Sequence, residues 1–292
     1  MSLSLVPSPQ GGGHSIHPTG VIMKRFNALL FAVIGLCIAT SAAAAPGKRA
    51  IPSCTKVLVT STTEVPANTT FDGLVKYGKM VCLVGNTKKM DGSQTESQIP
   101  HFNLGVGATL KNVVLGDPAK GTGRNLTAGG ADGVHCAGNC KIENVYWGDV
   151  GEDAATLKGA GTMTVTGGAA YKAADKMFQN NGANSKIVIT NFYAEEGGKL
   201  YRSCGNCSSQ SARTVTISGV TIYNVSAGVG VNSSFDGSKL PALAKAYDVA
   251  TMSDFVSNKA SARCATFIGT SKGNEPKKDT NAGNIARACV FK

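Results

Sequence analysis

Short runs of alternating apolar and polar residues recur along the chain, and most are paired, with an asparagine or a glycine between the two runs. Alternation with a period of two is typical of β-strands. An asparagine or glycine permits a left-handed backbone bend, and inward asparagines at matching positions can form a hydrogen-bonded ladder. The pattern therefore predicts pairs of short strands joined by a bend at 108–115, 140–147, 161–168, 186–193 and 213–222.

Charged residues recur at a near-constant interval in the middle of the chain. Asp132, Asp153 and Asp175 follow one another at intervals of 21 and 22 residues. Lys176 precedes Lys199 by 23 residues. An interval of this kind is the signature of a repeat architecture in which each repeat contacts its neighbours. We therefore predict an all-β chain, a right-handed parallel β-helix of seven or eight coils, in which stacked strands lie about 4.8 Å apart.

The composition agrees with a fold that has many tight turns. The chain has 292 residues, of which 36 are glycine, and aromatic residues make up only 6%. A helical bundle would need periodic runs rich in Leu, Glu and Ala, and helix signals are almost absent before residue 240. A β-sandwich is the alternative fold, but its strands would be joined by hairpin turns and would lack the constant coil length.

The N-terminal region has the three-part pattern of a secretory signal peptide. A basic start at 23–25 precedes an apolar run over 28–39, and small residues at 41–45 offer a cleavage site. The apolar run is too short to span a membrane. We predict that translation starts at Met23, that residues 1–44 are a leader, and that residues 45–292 form a single secreted β-helix domain.

Removal of the leader takes Cys37 with it and leaves an even number of cysteines, which in a secreted chain indicates disulfides. The eight are Cys54, Cys82, Cys136, Cys140, Cys204, Cys207, Cys264 and Cys289. Short spacings favour the local pairs Cys136–Cys140 and Cys204–Cys207. The pairs Cys54–Cys82 and Cys264–Cys289 would then each cross-link one end of the β-helix. The alternative is a zinc site built from the four central cysteines, which an oxidising compartment disfavours.

Four acidic residues of the repeating stretch are candidate metal ligands. They are Asp132, Glu152, Asp153 and Asp175. Calcium takes about six to eight oxygen ligands in flexible geometry, so carboxylates from successive coils suit it. One such acid alone would be an ordinary solvated turn residue. Four at one coil register predict a calcium site, although not one of the EF-hand type.

Lys176, Lys199 and Arg202 belong to the same coils or the next one and predict a basic site beside the calcium. In a uronic acid polymer, calcium would bind the C6 carboxylate and make the proton at C5 more acidic. A lysine whose pKa is lowered by neighbouring cations could remove that proton, and Arg202 could stabilise the enolate-like transition state. The oxygen at C4 then leaves, and this β-elimination consumes no water.

Other classes of function have less support in the sequence. A glycoside hydrolase needs two carboxyl groups with one kept protonated, whereas the acids here lie among basic groups that we expect to keep them ionised. We expect His135 to serve in packing or in a hydrogen bond rather than as a catalytic base. The net charge of +11 suits an acidic polysaccharide, and no nucleic-acid-binding motif stands out. We therefore predict a monomer that binds neither nucleic acid nor membrane.

Several separate motifs occur in an order and at a spacing that resemble the secreted pectate lyases of polysaccharide lyase family 3. They are found at 132–136, 149–154, 167–173, 175–179 and 198–202, and the resemblance covers roughly 57–231. The resemblance implies a right-handed parallel β-helix. It also implies calcium-dependent eliminative cleavage of de-esterified pectin, the polygalacturonate of plant cell walls, to unsaturated oligogalacturonides.

The resemblance also implies roles for individual residues. Those at the acidic calcium-side positions are Asp132, Glu152, Asp153 and Asp175. Those at the basic catalytic positions are Lys176, Lys199 and Arg202, among which we favour Lys176 as the base. Glu96 matches an acidic position near the substrate cleft. Two departures are Gly148, where an acid is common in the family, and a long insertion at 120–130.

Two further functions stay open from the sequence alone. The first is a catalytically silent β-helix that binds pectin, and the complete set of acidic and basic residues argues against it. The second is a pectin hydrolase on the same fold, which would release new reducing ends without unsaturated products.

Overall fold

The computed structural model describes residues 47–120, 128–240 and 247–292, all of which lie within one compact unit, Ser41–Lys292. The predicted leader and its start at Met23 lie outside the described residues, as does most of the insertion at 120–130. No helix in the described ranges is long and apolar enough to cross a membrane.

The described residues form seventeen strands and two short helices. The strands are β1 Thr55–Val59, β2 Thr63–Val65, β3 Thr70–Asp72, β4 Val81–Gly85, β5 Phe102–Leu104, β6 Ala108–Leu115, β7 Val134–Cys136, β8 Cys140–Trp147, β9 Ala155–Leu157, β10 Thr162–Thr166, β11 Ala169–Asn180, β12 Lys186–Ser203, β13 Thr214–Phe235, β14 Val249–Asn258, β15 Ala262–Gly269, β16 Lys277–Lys278 and β17 Cys289–Phe291. The helices are α1 Gly73–Tyr77 and α2 Ala282–Ala288.

All strands except β16, which pairs antiparallel with β15, stack into three parallel sheets, so the chain coils as a parallel β-helix, as predicted. Sheet A contains β3, β10, β17 and the first parts of β6, β8, β12, β13 and β14. Sheet B contains β1, β4, the first part of β11, the middle of β12 and β13 and the last parts of β6, β8 and β14. Sheet C contains β2, β5, β7, β9, β15 and the last parts of β11, β12 and β13. Sheet C thus has eight rungs in the described ranges, in agreement with seven or eight coils.

The bend from sheet A to sheet B uses a left-handed residue in coil after coil. Those residues include Asn112 at φ 57°, Asn144 at φ 53°, Gly167 at φ 67°, Asn191 at φ 50° and Gly219 at φ 62°. The amide of Asn144 donates to Oδ1 of Asn112 at 2.8 Å, and the amide of Asn112 donates to Oδ1 of Asp72 at 2.9 Å. The predicted bends and part of the predicted ladder are therefore confirmed.

The core fills the inside of the coil with apolar side chains stacked in register. One column of sheet A contains Leu110, Ile142, Val165, Ile189 and Ile217, each of which is completely buried. Each such side chain contributes about 1.5–3 kcal/mol relative to leaving it in water. The packing of these stacked apolar side chains inside the coil therefore stabilises the scaffold, rather than the packing of any helix.

All four predicted disulfides are present, and the zinc alternative is wrong because the four central sulfur atoms are already bonded in pairs. Cys136–Cys140 and Cys204–Cys207 each close a tight turn at the end of a sheet C strand. Cys54–Cys82 ties the N-terminal segment to β4, and Cys264–Cys289 ties β15 to β17.

Candidate active site

The outer face of sheet C carries the basic residues because strict alternation breaks in two neighbouring strands. Lys176 pairs with Lys199 across β11 and β12, and Gln179 pairs with Arg202. Two successive buried residues separate each lysine from the polar residue that follows it, and those inward residues are Met177 and Phe178 in β11 and Leu200 and Tyr201 in β12. This break explains why residues three apart, such as Lys199 and Arg202, line the same cleft.

A cleft of about 670 Å³ lies over this face. All eight predicted site residues line it, namely Glu96, Asp132, Glu152, Asp153, Asp175, Lys176, Lys199 and Arg202. The near-constant interval noted in the sequence therefore does bring these side chains into one place.

Asp132, Glu152 and Asp153 form a compact group in the cleft, which we call the carboxylate cluster. Each offers an oxygen atom that lies within 4.8 Å of the corresponding oxygens of the other two. Asp132 and Asp153 are buried, and Oδ1 of each is a buried atom without a hydrogen-bond partner among the described residues. Hard oxygen donors in this arrangement suit calcium, so the residues present fit the predicted metal.

Asp175 lies beside the carboxylate cluster but outside it. Its side chain is 58% exposed and forms ion pairs with Lys199 at 2.9 Å and with Lys176 at 3.4 Å. These contacts lower the pKa of Asp175 although its partial burial acts in the opposite direction. In this structure Asp175 bridges the two lysines, and its role as a fourth calcium ligand stays a prediction.

Lys176 faces the carboxylate cluster directly. Its ammonium lies 3.3 Å from Oδ1 of Asp153 and 3.4 Å from Oε1 of Glu152. Burial by itself would lower the pKa of Lys176, but the charges of Asp153, Glu152 and Asp175 outweigh it and raise that pKa above its ordinary value. The expectation of a lysine with a lowered pKa is therefore not met at Lys176 in the metal-free protein.

The pKa values of two acids of the cluster, Glu152 and Asp153, are also shifted, in the direction that disfavours their charged forms. Burial, helped by the charge of Asp132, raises the pKa of Glu152 to about 7 despite Lys176. Burial and the neighbouring carboxylates raise the pKa of Asp153 well above its usual range. The expectation that basic groups keep the acids ionised is thus wrong for Glu152 and Asp153 without a bound cation, whereas it holds for Asp175.

Arg202 lies at the base of the cleft and is nearly buried. Its Nη1 donates to Oδ1 of Asn232 at 3.0 Å, and its guanidinium lies over the ring of Phe267. Burial lowers the pKa of Arg202 to about 10, and the charge of Asp248 partly offsets this. The guanidinium is therefore held in one place.

Glu96 lines one end of the cleft, in the loop that precedes β5. Its charge is one of the influences that raise the pKa of Glu152, so the two side chains belong to one electrostatic environment. Its predicted contact with substrate stays a prediction.

Sequence reasoning missed Thr156, Gln179 and Phe267 of the cleft, whereas the hydrogen bond expected of His135 is present, to Asp132. His135, Thr156, Gln179 and Arg202 form one register column of sheet C, and their intervals of 21 to 23 residues match those of the acids. Extending the interval would have identified Thr156 and Gln179. Phe267 offered no such signal because a longer coil separates it from its β13 neighbour, Asn232.

Comparison with known proteins places this site in a family. The family model described as pectate lyase matches residues 48–274. The chain belongs to the pectate lyase family. The resemblance predicted from the motifs is thereby confirmed, and the protein is an enzyme of the polysaccharide lyase class.

Relatives within the pectate lyase family come from fungi and bacteria. A probable pectate lyase F of Aspergillus terreus is 40% identical over 219 residues, which are 74% of this chain and 81% of the relative. Pectate lyase E of Emericella nidulans is 43% identical over 188 residues, 63% of this chain and 66% of that one. The crystal structure of pectate lyase PelI from Erwinia chrysanthemi is 30% identical with a TM-score of 0.59 and covers 82% of this chain and 70% of PelI. A second structure, PelI in complex with tetragalacturonic acid, is 31% identical with a TM-score of 0.57 and covers 80% of this chain and 68% of that one.

Proposed function

We propose that this enzyme is a secreted, calcium-dependent pectate lyase that cleaves de-esterified pectin by β-elimination to unsaturated oligogalacturonides. The observation that carries the proposal is the carboxylate cluster beside Lys176, Lys199 and Arg202 in one cleft. The tetragalacturonic acid bound to the related PelI supports a polygalacturonate substrate. The four disulfides suit an extracellular enzyme.

Asp132, Glu152 and Asp153 would hold the calcium, with Asp175 at the margin of the site. When bound, calcium offsets the charge of these carboxylates and withdraws electrons from the substrate carboxylate, which makes the proton at C5 more acidic.

Lys176 is our candidate for the base that removes this proton, because it adjoins the carboxylate cluster and calcium bound there would offset the charges of Asp153 and Glu152 that raise its pKa. Lys199 and Arg202 would bind the substrate carboxylate and stabilise the negative charge that develops as the proton leaves. Arg202 is the second candidate for the base, since burial lowers its pKa to about 10. Loss of the C5 proton expels the C4 oxygen and leaves a double bond between C4 and C5.

Hydrolysis by a pair of carboxyl groups is the competing chemistry, and the raised pKa of Glu152 gives it a possible general acid. The arrangement argues against it. Glycosidase carboxyl groups form a pair on either side of the bond that is cleaved, whereas here three carboxyl groups converge, with one oxygen of each within 4.8 Å of the others. Such a group of oxygens is better suited to surround a cation.

The test is the ultraviolet absorbance of polygalacturonate digests, measured with calcium, with chelator and after calcium is restored. The proposal expects absorbance from unsaturated uronides that is lost with chelator and regained with calcium, and a Lys176→Ala variant that folds but does not turn over. New reducing ends without absorbance would show hydrolysis instead. A folded protein that binds polygalacturonate and releases no product would be a silent binder.

A further inference from the structure

Two polar residues of sheet C that line the cleft contact the aspartates of the carboxylate cluster. His135 of β7 and Thr156 of β9 are register partners, and each follows a buried aspartate by three residues. Nε2 of His135 lies 2.6 Å from Oδ2 of Asp132. The hydroxyl of Thr156 donates to Oδ2 of Asp153 at 3.0 Å. The same contact, between an aspartate and the polar side chain three residues later, thus occurs on two successive coils.

The other oxygen of each aspartate is not held in this way. Oδ1 of Asp132 and Oδ1 of Asp153 are buried and accept no hydrogen bond within the described part of the chain. Oδ1 of Asp153 faces the ammonium of Lys176, at 3.3 Å, on the cleft side of the cluster. Each carboxylate is therefore held through Oδ2, while Oδ1 of Asp132 lacks a hydrogen-bond donor and Oδ1 of Asp153 has only the ammonium of Lys176 close to it, which is unusual for buried acceptors.

We propose that His135 and Thr156 are positioning residues that hold Asp132 and Asp153 in the orientation that binds the cation. This proposal rests on the calcium dependence of the proposed function. An ionised carboxylate can only accept hydrogen bonds, so the proton of the contact with Asp132 lies on Nε2 of His135. Neither His135 nor Thr156 contacts the cation in this arrangement; both act through the aspartate.

The physical effect is preorganisation. A carboxylate that is free to rotate loses side-chain entropy when it binds a metal, whereas one that is already held loses less. Removal of such outer hydrogen-bond partners typically weakens metal binding by about 10- to 100-fold. We expect calcium affinity to fall by about this factor for Thr156→Val, which removes the hydroxyl at nearly constant volume, and for His135→Ala.

Conservative variants separate positioning from packing. Thr156→Ser retains the hydroxyl, and His135→Gln retains an N–H donor of similar reach, so both should bind calcium more tightly than the corresponding Val and Ala variants. Thr190→Val is a matched control, because the Thr190 hydroxyl bonds Thr166 at 3.2 Å on sheet A, away from the cleft. Its calcium affinity should equal that of the unmodified protein.

The experiment is isothermal titration calorimetry of the full secreted chain with calcium alone, after removal of metal by chelation. A second readout is kcat at saturating calcium, which should recover most of its original value in Thr156→Val, because the aspartates are misplaced rather than lost. Calcium affinities within two-fold of the unmodified protein in both Thr156→Val and His135→Ala would overturn this proposal alone. Failure of the unmodified protein to bind calcium at all would overturn the proposed calcium dependence together with it.

Discussion

The guanidinium of Arg202 lies over the ring of Phe267, with 4.2 Å between its central carbon and the ring centroid. Asn232 holds the edge of the same group through Nη1. Both partners come from the coils that follow Arg202, so the C-terminal coils complete the cleft. A cation over an aromatic face contributes about 0.5–2 kcal/mol.

We predict that Phe267→Leu lowers kcat/KM on polygalacturonate by about 2- to 30-fold, the equivalent of that energy. Phe267→Tyr should retain most of the activity because it keeps the ring. The matched control is Phe291→Leu, which removes a similar contact with Arg263 at 4.4 Å outside the cleft. Equal losses in the two leucine variants would mean that the contact with Arg202 has no specific role.

Asp153→Asn should make the metal-free protein more stable and remove most of the stabilisation by calcium. Burial and neighbouring carboxylates raise the pKa of Asp153, so its ionised form is unfavourable in the folded state without a cation. Thermal unfolding in chelator and in calcium measures both effects. Asp175→Asn is the control of opposite sign, because ion pairs lower the pKa of Asp175 and favour its charge. A lower midpoint for Asp153→Asn in chelator would contradict the argument.

Stability should fall below neutral pH partly because of His101. This side chain is buried, its Nε2 donates to the carbonyl of Gly129 at 2.8 Å, and burial lowers its pKa from 6.5 to about 4. The unfolded chain therefore takes up a proton near pH 6.5, whereas the folded protein does so only near pH 4. The contribution of neutral His101 to the free energy of unfolding is fully present above pH 6.5. It falls by about 3 kcal/mol as the pH falls to about 4.

Denaturant unfolding between pH 7.5 and pH 4 tests this prediction. His101→Gln keeps a donor for Gly129 but has no group that titrates, so its stability should change less over this range. The difference between the two proteins at each pH isolates the histidine from the carboxyl groups. Parallel pH profiles for the two proteins would refute the assignment.

Gly133 shapes the turn that presents Asp132. Its φ is +48°, and a Cβ at this position would lie 2.0 Å from the carbonyl oxygen of Ala154. We expect Gly133→Ala to destabilise the protein by more than the roughly 1–2 kcal/mol of left-handed strain and to weaken calcium binding. Gly78→Ala is the matched control, because Gly78 has a φ of +68° but no atom within 4 Å of a Cβ. The Gly78→Ala variant should lose only the stability that left-handed strain costs and should bind calcium normally. Equal destabilisation by both variants would count against a clash at Gly133.

Much of the scaffold could be predicted because it depends on local spacing. The left-handed bends require asparagine or glycine at one position of each coil, and the cysteines could be paired by their distances along the chain. Seven of the eight site residues meet in one cleft because a near-constant coil length brings successive coils into register, whereas Glu96 reaches the cleft from a loop.

The electrostatics of the cleft could not be predicted in this way. The pKa of Lys176 depends on the balance between its burial and three charges at 3.3–3.4 Å, which no interval in the sequence shows. The same holds for Asp175, whose place between two lysines follows from side-chain geometry. Phe267 and Asn232 belong to coils of irregular length, where the interval no longer identifies neighbours.

The positions of the four disulfides bear on how the protein unfolds. Each links residues that are near in sequence, and none connects the N-terminal coils to the C-terminal ones. In a stack whose coils contact only their neighbours, unfolding can start at either end and proceed inward. Cys54–Cys82 and Cys264–Cys289 lie at those two ends, where unfolding would begin. Reduction of these disulfides should therefore increase the rate of unfolding more than it changes the structure of the cleft.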